Sequence, residues 1–182
     1  MGKTIIELFN NFVGENVNKI GNNRVMKVYK FGGASVKNAD GVRNLLNIVE
    51  GEKELFIIVS AMGKTTNALE GVFAAMQQGD EALAMSRIDE SYAYHRTIID
   101  DLMGADITIE QVDTLFEQLR NIVRNTIYRA SDAELWYDTI VAFGELVSTT
   151  IISNYLNGHG VANRWVDMRR AFLTEQRHTM PT

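Results

Sequence analysis

The stretch "LFIIVSAMGKTTNAL", Leu55 to Leu69, decides the class of fold. Leu55 to Val59 is a continuous apolar run that reads as a buried strand. A short turn of small and hydroxylated residues follows. Apolar positions then recur at helical spacing through Leu69, Val72, Phe73 and Met76. Gly63-Lys64-Thr65 matches the last three positions of the P-loop pattern, which requires another glycine five residues before Gly63. That position is Ile58, inside the strand, and a β-branched residue there cannot supply the open backbone of a phosphate-wrapping loop. The P-loop reading fails, leaving a strand, a turn and a helix. Such turns present N–H groups and hydroxyls at the carboxyl edge of a parallel sheet, where anionic ligands settle.

Working outward, Val25 to Phe31 reads as a first strand that ends in Gly32-Gly33, and Asn38 caps a helix with the stripe Val42, Leu45, Leu46, Val49. Gly79 separates the helix after the second strand from a long one, about Glu81 to Met103, with Ile88, Tyr92, Ile99 and Leu102 on one face. Thr108 with Gln111, and Ser131 with Glu134, are capping-box signatures that open two further helices. The first runs through Leu115, Leu119, Ile122 and Val123, the second through Trp136, Ile140 and Phe143. Gly144-Glu145 is expected to interrupt this last helix or to start its successor, which stops at Gly158. Val161 to Asp167 is expected to be a third strand, and Lys3 to Val17 a short amphipathic helix ended by Gly21-Asn22-Asn23. Strands alternating with helices predict an α/β fold, a three-layer sandwich around a mainly parallel sheet. Three strands are few for so much helix, so the sheet is expected to be incomplete at the C-terminus, with more of it after residue 182. The ending "EQRHTMPT", whose Pro181 is the single proline, reads as an interrupted chain.

The 182 residues are 46% hydrophobic and 23% charged, ordinary for a soluble globular protein. A net charge of −5 gives no electrostatic footprint for nucleic acid. Cysteine is absent, which excludes a disulfide framework and thiolate metal sites. No apolar run approaches the roughly 20 residues that cross a bilayer, and the first residues lack the charge and apolar core of a secretion signal. The expectation is a cytoplasmic protein without a membrane partner. His95, His159 and His178 lack ligand spacing, so a histidine metal site is not expected.

Four short elements could carry chemistry. Lys30-Phe31-Gly32-Gly33-Ala34-Ser35 places a mobile cation and two permissive glycines at a strand end, as a polyphosphate site would, or as a plain Gly-Gly turn with a solvent-facing lysine would. Ser60, Gly63, Thr65, Thr66 and Asn67 cluster donors with no acid or histidine among them, which suits anion binding, or simply a helix cap. Glu145 follows a glycine and would be a helix-start carboxylate favoured by the dipole. Asp167-Met168-Arg169 reads by itself as a surface ion pair.

Their order is more specific than any one of them. A strand ending K-F-G-G-x-S, a second ending V-S-A-x-G-x-T-T-N, a helical block, G-E and a strand ending D-x-R closely resemble the aspartokinases of the amino-acid kinase superfamily, over about Val25 to Thr174. Ala34 stands where many members have threonine. The resemblance implies that residues 25–182 form the N-terminal part of an amino-acid kinase domain, that 1–24 are an N-terminal extension, and that the nucleotide-binding half and regulatory domains lie beyond residue 182. It implies ATP-dependent phosphorylation of the side-chain carboxylate of L-aspartate to 4-phospho-L-aspartate, toward lysine, threonine and methionine, with this piece inactive alone. ATP and L-aspartate would be the partners, Mg2+ would ride mainly on the nucleotide phosphates, and the full-length protein would be a homo-oligomer. By motif, Lys30 would neutralise the transferring phosphoryl group, Gly32 and Gly33 would offer it backbone donors, Ser60 and Thr66 would hold the aspartate and phosphate region, and Glu145 would pair with the substrate ammonium. The family's arginine for the substrate α-carboxylate has no clear counterpart after Thr174; Arg169 and Arg170 are stand-ins. The alternatives are a related kinase for another carboxylate substrate and a non-catalytic short form that only binds a ligand.

Overall fold

The computed structural model describes residues 26–171. Lys27–Trp165 form one compact unit; of the other described residues, Met26 and 166–171 belong to another. The expected helix over Lys3 to Val17 lies outside the described residues.

Strands β1 (Lys27–Phe31) and β2 (Leu55–Val59) pair in parallel, with Lys30 beside Ile58 and Phe31 beside Val59. Helix α1 (Ala39–Val49) connects them, completing a βαβ unit. Its start is locally encoded: the Asn38 side chain accepts the Gly41 N–H at 3.1 Å. Val42, Leu45 and Val49 bury its inner face, while Leu46 is half-buried. Alternation along the strands puts Tyr29, Phe31, Leu55, Ile57 and Val59 on the face packed into the core. Val28, 41% exposed, and Lys30 point the other way.

After β2 come α2 (Thr65–Gln77), α3 (Glu81–Met103), α4 (Glu110–Asn125) and α5 (Ala133–Gly158). Gly79 at φ +70° permits the turn between α2 and α3, and Asp80 then caps α3 by accepting the Leu83 N–H at 2.9 Å. The sequence-predicted bounds of α3 are the observed ones. Ile88 and Ile99 are buried from it, with Tyr92 and Leu102 half-buried. Leu69, Val72, Phe116, Leu119, Ile140, Val147 and Ile151 join them in one core shared by the four helices. By length and composition α5 could cross a bilayer. From Ile140 onward, however, most of its apolar residues, among them Phe143, Leu146, Val147, Ile151 and Leu156, are buried in this core, while Leu135 and Tyr137 near its start are exposed.

Four local expectations are corrected. Neither capping box forms: α4 starts after Ile109 and α5 after Asp132, both without a side-chain cap, and the Ser131 hydroxyl donates to Asp132 instead. The 3₁₀ turn Ala130–Asp132 feeds the chain directly into α5, so no exposed N–H row is left for serine to cap. Gly144-Glu145 neither ends nor begins a helix, because α5 runs through both. Residues 161–167 form no strand; among the described residues the sheet has two. The start of that segment bonds to α5 instead: Val161 N–H donates to the Leu156 carbonyl and Asn163 N–H to the Asn157 side chain. In the other unit Asp167 accepts from the Arg169 N–H at 3.1 Å, at the start of the short helix α6 (Met168–Ala171).

Candidate active site

The candidate site is the carboxyl edge of the two strands. β1 runs out into Gly32 and a 3₁₀ turn, Gly33–Val36, whose opening amides have no acceptor within the turn. β2 runs out into Ser60–Lys64. Two backbone bonds tie the loops together, Ser60 N–H to the Phe31 carbonyl at 3.1 Å and Gly63 N–H to the Gly33 carbonyl at 3.0 Å.

The glycines here are set by packing. A Cβ on Gly33 would lie 2.4 Å from the Ala61 carbonyl oxygen, and one on Gly144 would lie 2.8 Å from the Ala61 Cβ. Ala61 therefore fills the gap between the first loop and α5, and glycine is required on both sides. Gly63 has φ +56°, and a Cβ there would lie 2.5 Å from the Tyr94 hydroxyl. Gly32, by contrast, has open space around its Cβ position.

This close approach of α5 brings its polar side chains to the second loop. Glu145, exposed on α5, accepts the Ala61 N–H through Oε1 at 3.3 Å. Ser148, fully buried one turn later, donates its hydroxyl to the Ser60 carbonyl at 3.0 Å. From α3, the Tyr94 hydroxyl donates to the Lys37 carbonyl at 2.5 Å, just past the first loop, and burial raises its pKa. Beside it His95 is fully buried, and desolvation lowers its pKa from 6.5 to about 4, against the opposing pull of the Ser91 carbonyl that accepts from Nδ1. His95 Nε2 lies 3.3 Å from the Thr65 hydroxyl, which donates to the Met62 carbonyl at 2.6 Å.

Of the sequence-predicted residues, Gly33, Ser60 and Glu145 meet around Ala61. Lys30 and Gly32 are exposed at the same sheet end, and Thr66 is half-buried on the first turn of α2. Two members of the donor cluster are corrected. Thr65 is buried at 3% exposure with its hydroxyl spent inside the protein, and the Gly63 N–H is spent on Gly33. An acid and a histidine do reach this turn, Glu145 and His95, brought from distant helices. Arg169, a stand-in for an α-carboxylate ligand, is paired with Asp167 at 2.8 Å, and that hydrogen bond raises its pKa. Sequence reasoning missed Ser148 and Tyr94. The one available signal for Ser148 was its position one turn after Glu145, on the same helix face.

The model of the amino acid kinase family matches residues 26–180. The chain belongs to the amino acid kinase family. It is 31% identical over 152 residues to bifunctional aspartokinase/homoserine dehydrogenase 2 of Zea mays, covering 80% of this chain and 16% of that protein. It is 28% identical over 160 residues to aspartokinase 1 of Arabidopsis thaliana, covering 84% and 27%. Lysine-sensitive aspartokinase 3 of Escherichia coli is 25% identical over 151 residues, covering 82% of this chain and 32% of the relative. The chain thus spans a third or less of the length of these relatives. The crystal structure of E. coli aspartokinase III with aspartate and ADP superposes with TM-score 0.67 at 24% identity, over 84% of this chain and 33% of that one. The parallel α/β architecture is therefore that of a known kinase fold.

Proposed function

We propose that this amino acid kinase chain carries the acceptor end of a phosphotransferase site whose substrate is L-aspartate, converted by ATP to 4-phospho-L-aspartate. The observation that carries the reading is the junction at Ala61: an exposed carboxylate from α5 is fastened to a hydroxyl-bearing loop at the end of two parallel strands, against a glycine turn and at the sheet end that carries an exposed lysine. An amino acid with a second carboxylate fits such a junction.

A carboxylate nucleophile is already an anion and needs no general base. The obstacle is its repulsion from the phosphate, about 4 kcal/mol per pair of unit charges 4 Å apart at an effective dielectric near 20. Catalysis must then be positioning plus positive charge and N–H donors. Lys30 supplies a charge that can follow the phosphoryl group, and the amides of Gly32 and Gly33 supply fixed donors. Glu145 holds the substrate ammonium, while the Ser60 and Thr66 hydroxyls orient the aspartate and phosphate oxygens. The groups assigned to phosphate, Lys30 with amides and hydroxyls, suit phosphate oxygens, so Mg2+ would arrive on the nucleotide and balance its charge. We further propose that the 182 residues alone do not turn over ATP.

The test is acyl-phosphate formation by the full-length protein, trapped with hydroxylamine. Lys30→Ala is expected to lower kcat by at least about a hundredfold, as removal of a transition-state donor does. Glu145→Ala is expected mainly to raise the KM for aspartate. Absence of aspartate-dependent acyl-phosphate in the wild-type protein sinks the substrate assignment and leaves a related carboxylate or a binding role.

A further inference from the structure

Ser148 and Glu145 sit one turn apart on α5 and reach the two polar ends of a single peptide unit. Ser148 Oγ donates to the Ser60 carbonyl at 3.0 Å, and the Ala61 N–H on the other side of that peptide bond donates to Glu145 Oε1 at 3.3 Å. The Ala61 methyl of the same unit is seated against Gly144. A serine inside a helix ordinarily returns its hydroxyl to its own backbone. Here the Glu145 carbonyl is the more distant acceptor, at 3.2 Å, and the shorter contact leaves the helix for the loop.

We propose that Ser148 is a positioning residue of the candidate site, orienting the Ser60–Ala61 peptide plane and, through it, both the Ser60 hydroxyl and the Glu145 carboxylate. The C=O and N–H of a trans peptide are rigidly opposed, so rotation of the plane breaks both contacts together. Ser148 is 0% exposed, so no water can take over its bond. With Oε1 committed to Ala61, Glu145 offers its other oxygen to a ligand. This last step rests on the reading of Glu145 as the ammonium-binding group; the peptide clamp itself does not.

The clamp is tested without ligand, by amide hydrogen exchange of Ala61 in the 15N-labelled chain. Ser148→Ala should speed Ala61 exchange about tenfold, the factor that corresponds to one typical hydrogen bond, while Val112 in α4 keeps its rate. Ser148→Cys, close in size and a weak donor, should move Ala61 in the same direction and serves if the alanine variant does not fold. Thr149→Ala is the control: Thr149 also bonds the Glu145 carbonyl, at 2.6 Å, and accepts from Trp165 Nε1, with no hydrogen bond to Ser60. An unchanged Ala61 rate in both Ser148 variants overturns the proposal, as does an equal acceleration in Thr149→Ala. A titration with L-aspartate then separates the two claims. No binding by the wild-type chain counts against the substrate reading and leaves the clamp standing; binding that is weaker in Ser148→Ala with the exchange result as expected supports both.

Discussion

Replacing Gly144 with alanine sets two physical effects against each other. In an unpacked helix interior, Gly→Ala gains about 1 kcal/mol, because glycine loses more backbone entropy on folding. In this structure the new methyl would lie 2.8 Å from the Ala61 Cβ, 3.4 Å from Leu69 Cδ1 and 3.5 Å from Thr65 Cγ2. Carbon atoms prefer about 3.5–4.0 Å, so α5 and the loop must part by most of an ångström. Such overpacking costs about 1–3 kcal/mol. The packing term wins, and the expected net is a loss of about 1 kcal/mol where an unpacked glycine would give a gain of the same size. Urea denaturation followed by circular dichroism measures it. The double variant Gly144→Ala, Ala61→Gly removes the opposing methyl, so the two changes should couple favourably by about 2 kcal/mol, the packing term itself, in a mutant cycle. A Gly144→Ala chain more stable than wild type, or the absence of that coupling, would refute the claim that α5 docks on Ala61 through this glycine.

Two further outcomes follow from local geometry. His95 titrates near 6.5 when unfolded and near 4 when folded, so between these values the unfolded chain binds the extra proton and acid destabilises the fold. At about 1.4 kcal/mol per unit this amounts to about 3 kcal/mol lost between pH 6.5 and 4; His95→Gln should flatten that part of the stability–pH curve relative to wild type, and a parallel curve would contradict the buried neutral ring. Asn38→Ala should lower stability by about 1 kcal/mol through loss of the α1 cap, whereas Thr108→Ala and Ser131→Ala should leave the urea midpoint unchanged because neither caps a helix. A loss in either control would restore the capping boxes.

Much of the fold was legible because its signals are local. The βαβ unit followed from an apolar run and a helical stripe, the α1 start from Asn38, and both ends of α3 from Gly79 and the periodicity to Met103. Lys30, Gly33, Ser60 and Glu145 stood out through the order of four short motifs. The misread features were those whose meaning depends on a distant partner. Gly144 carries the same letter whether it breaks a helix or admits a neighbour. Thr65 and Gly63 looked like available donors until Met62 and Gly33 claimed them. Val161 to Asp167 has strand composition, but a strand exists only where a ladder partner lies alongside.

The amino-acid sequence by itself determined the strand–turn–helix units and the family, because dihedral preference, capping and periodicity act over a few residues. Tertiary structure alone decided which polar groups of the two loops are spent on partners inside the protein. A hydrogen bond or a methyl contact is settled by whichever atoms the fold brings within about 3–4 Å; here those were Ser148, Glu145 and Gly144, arriving at Ala61 from a helix far along the chain.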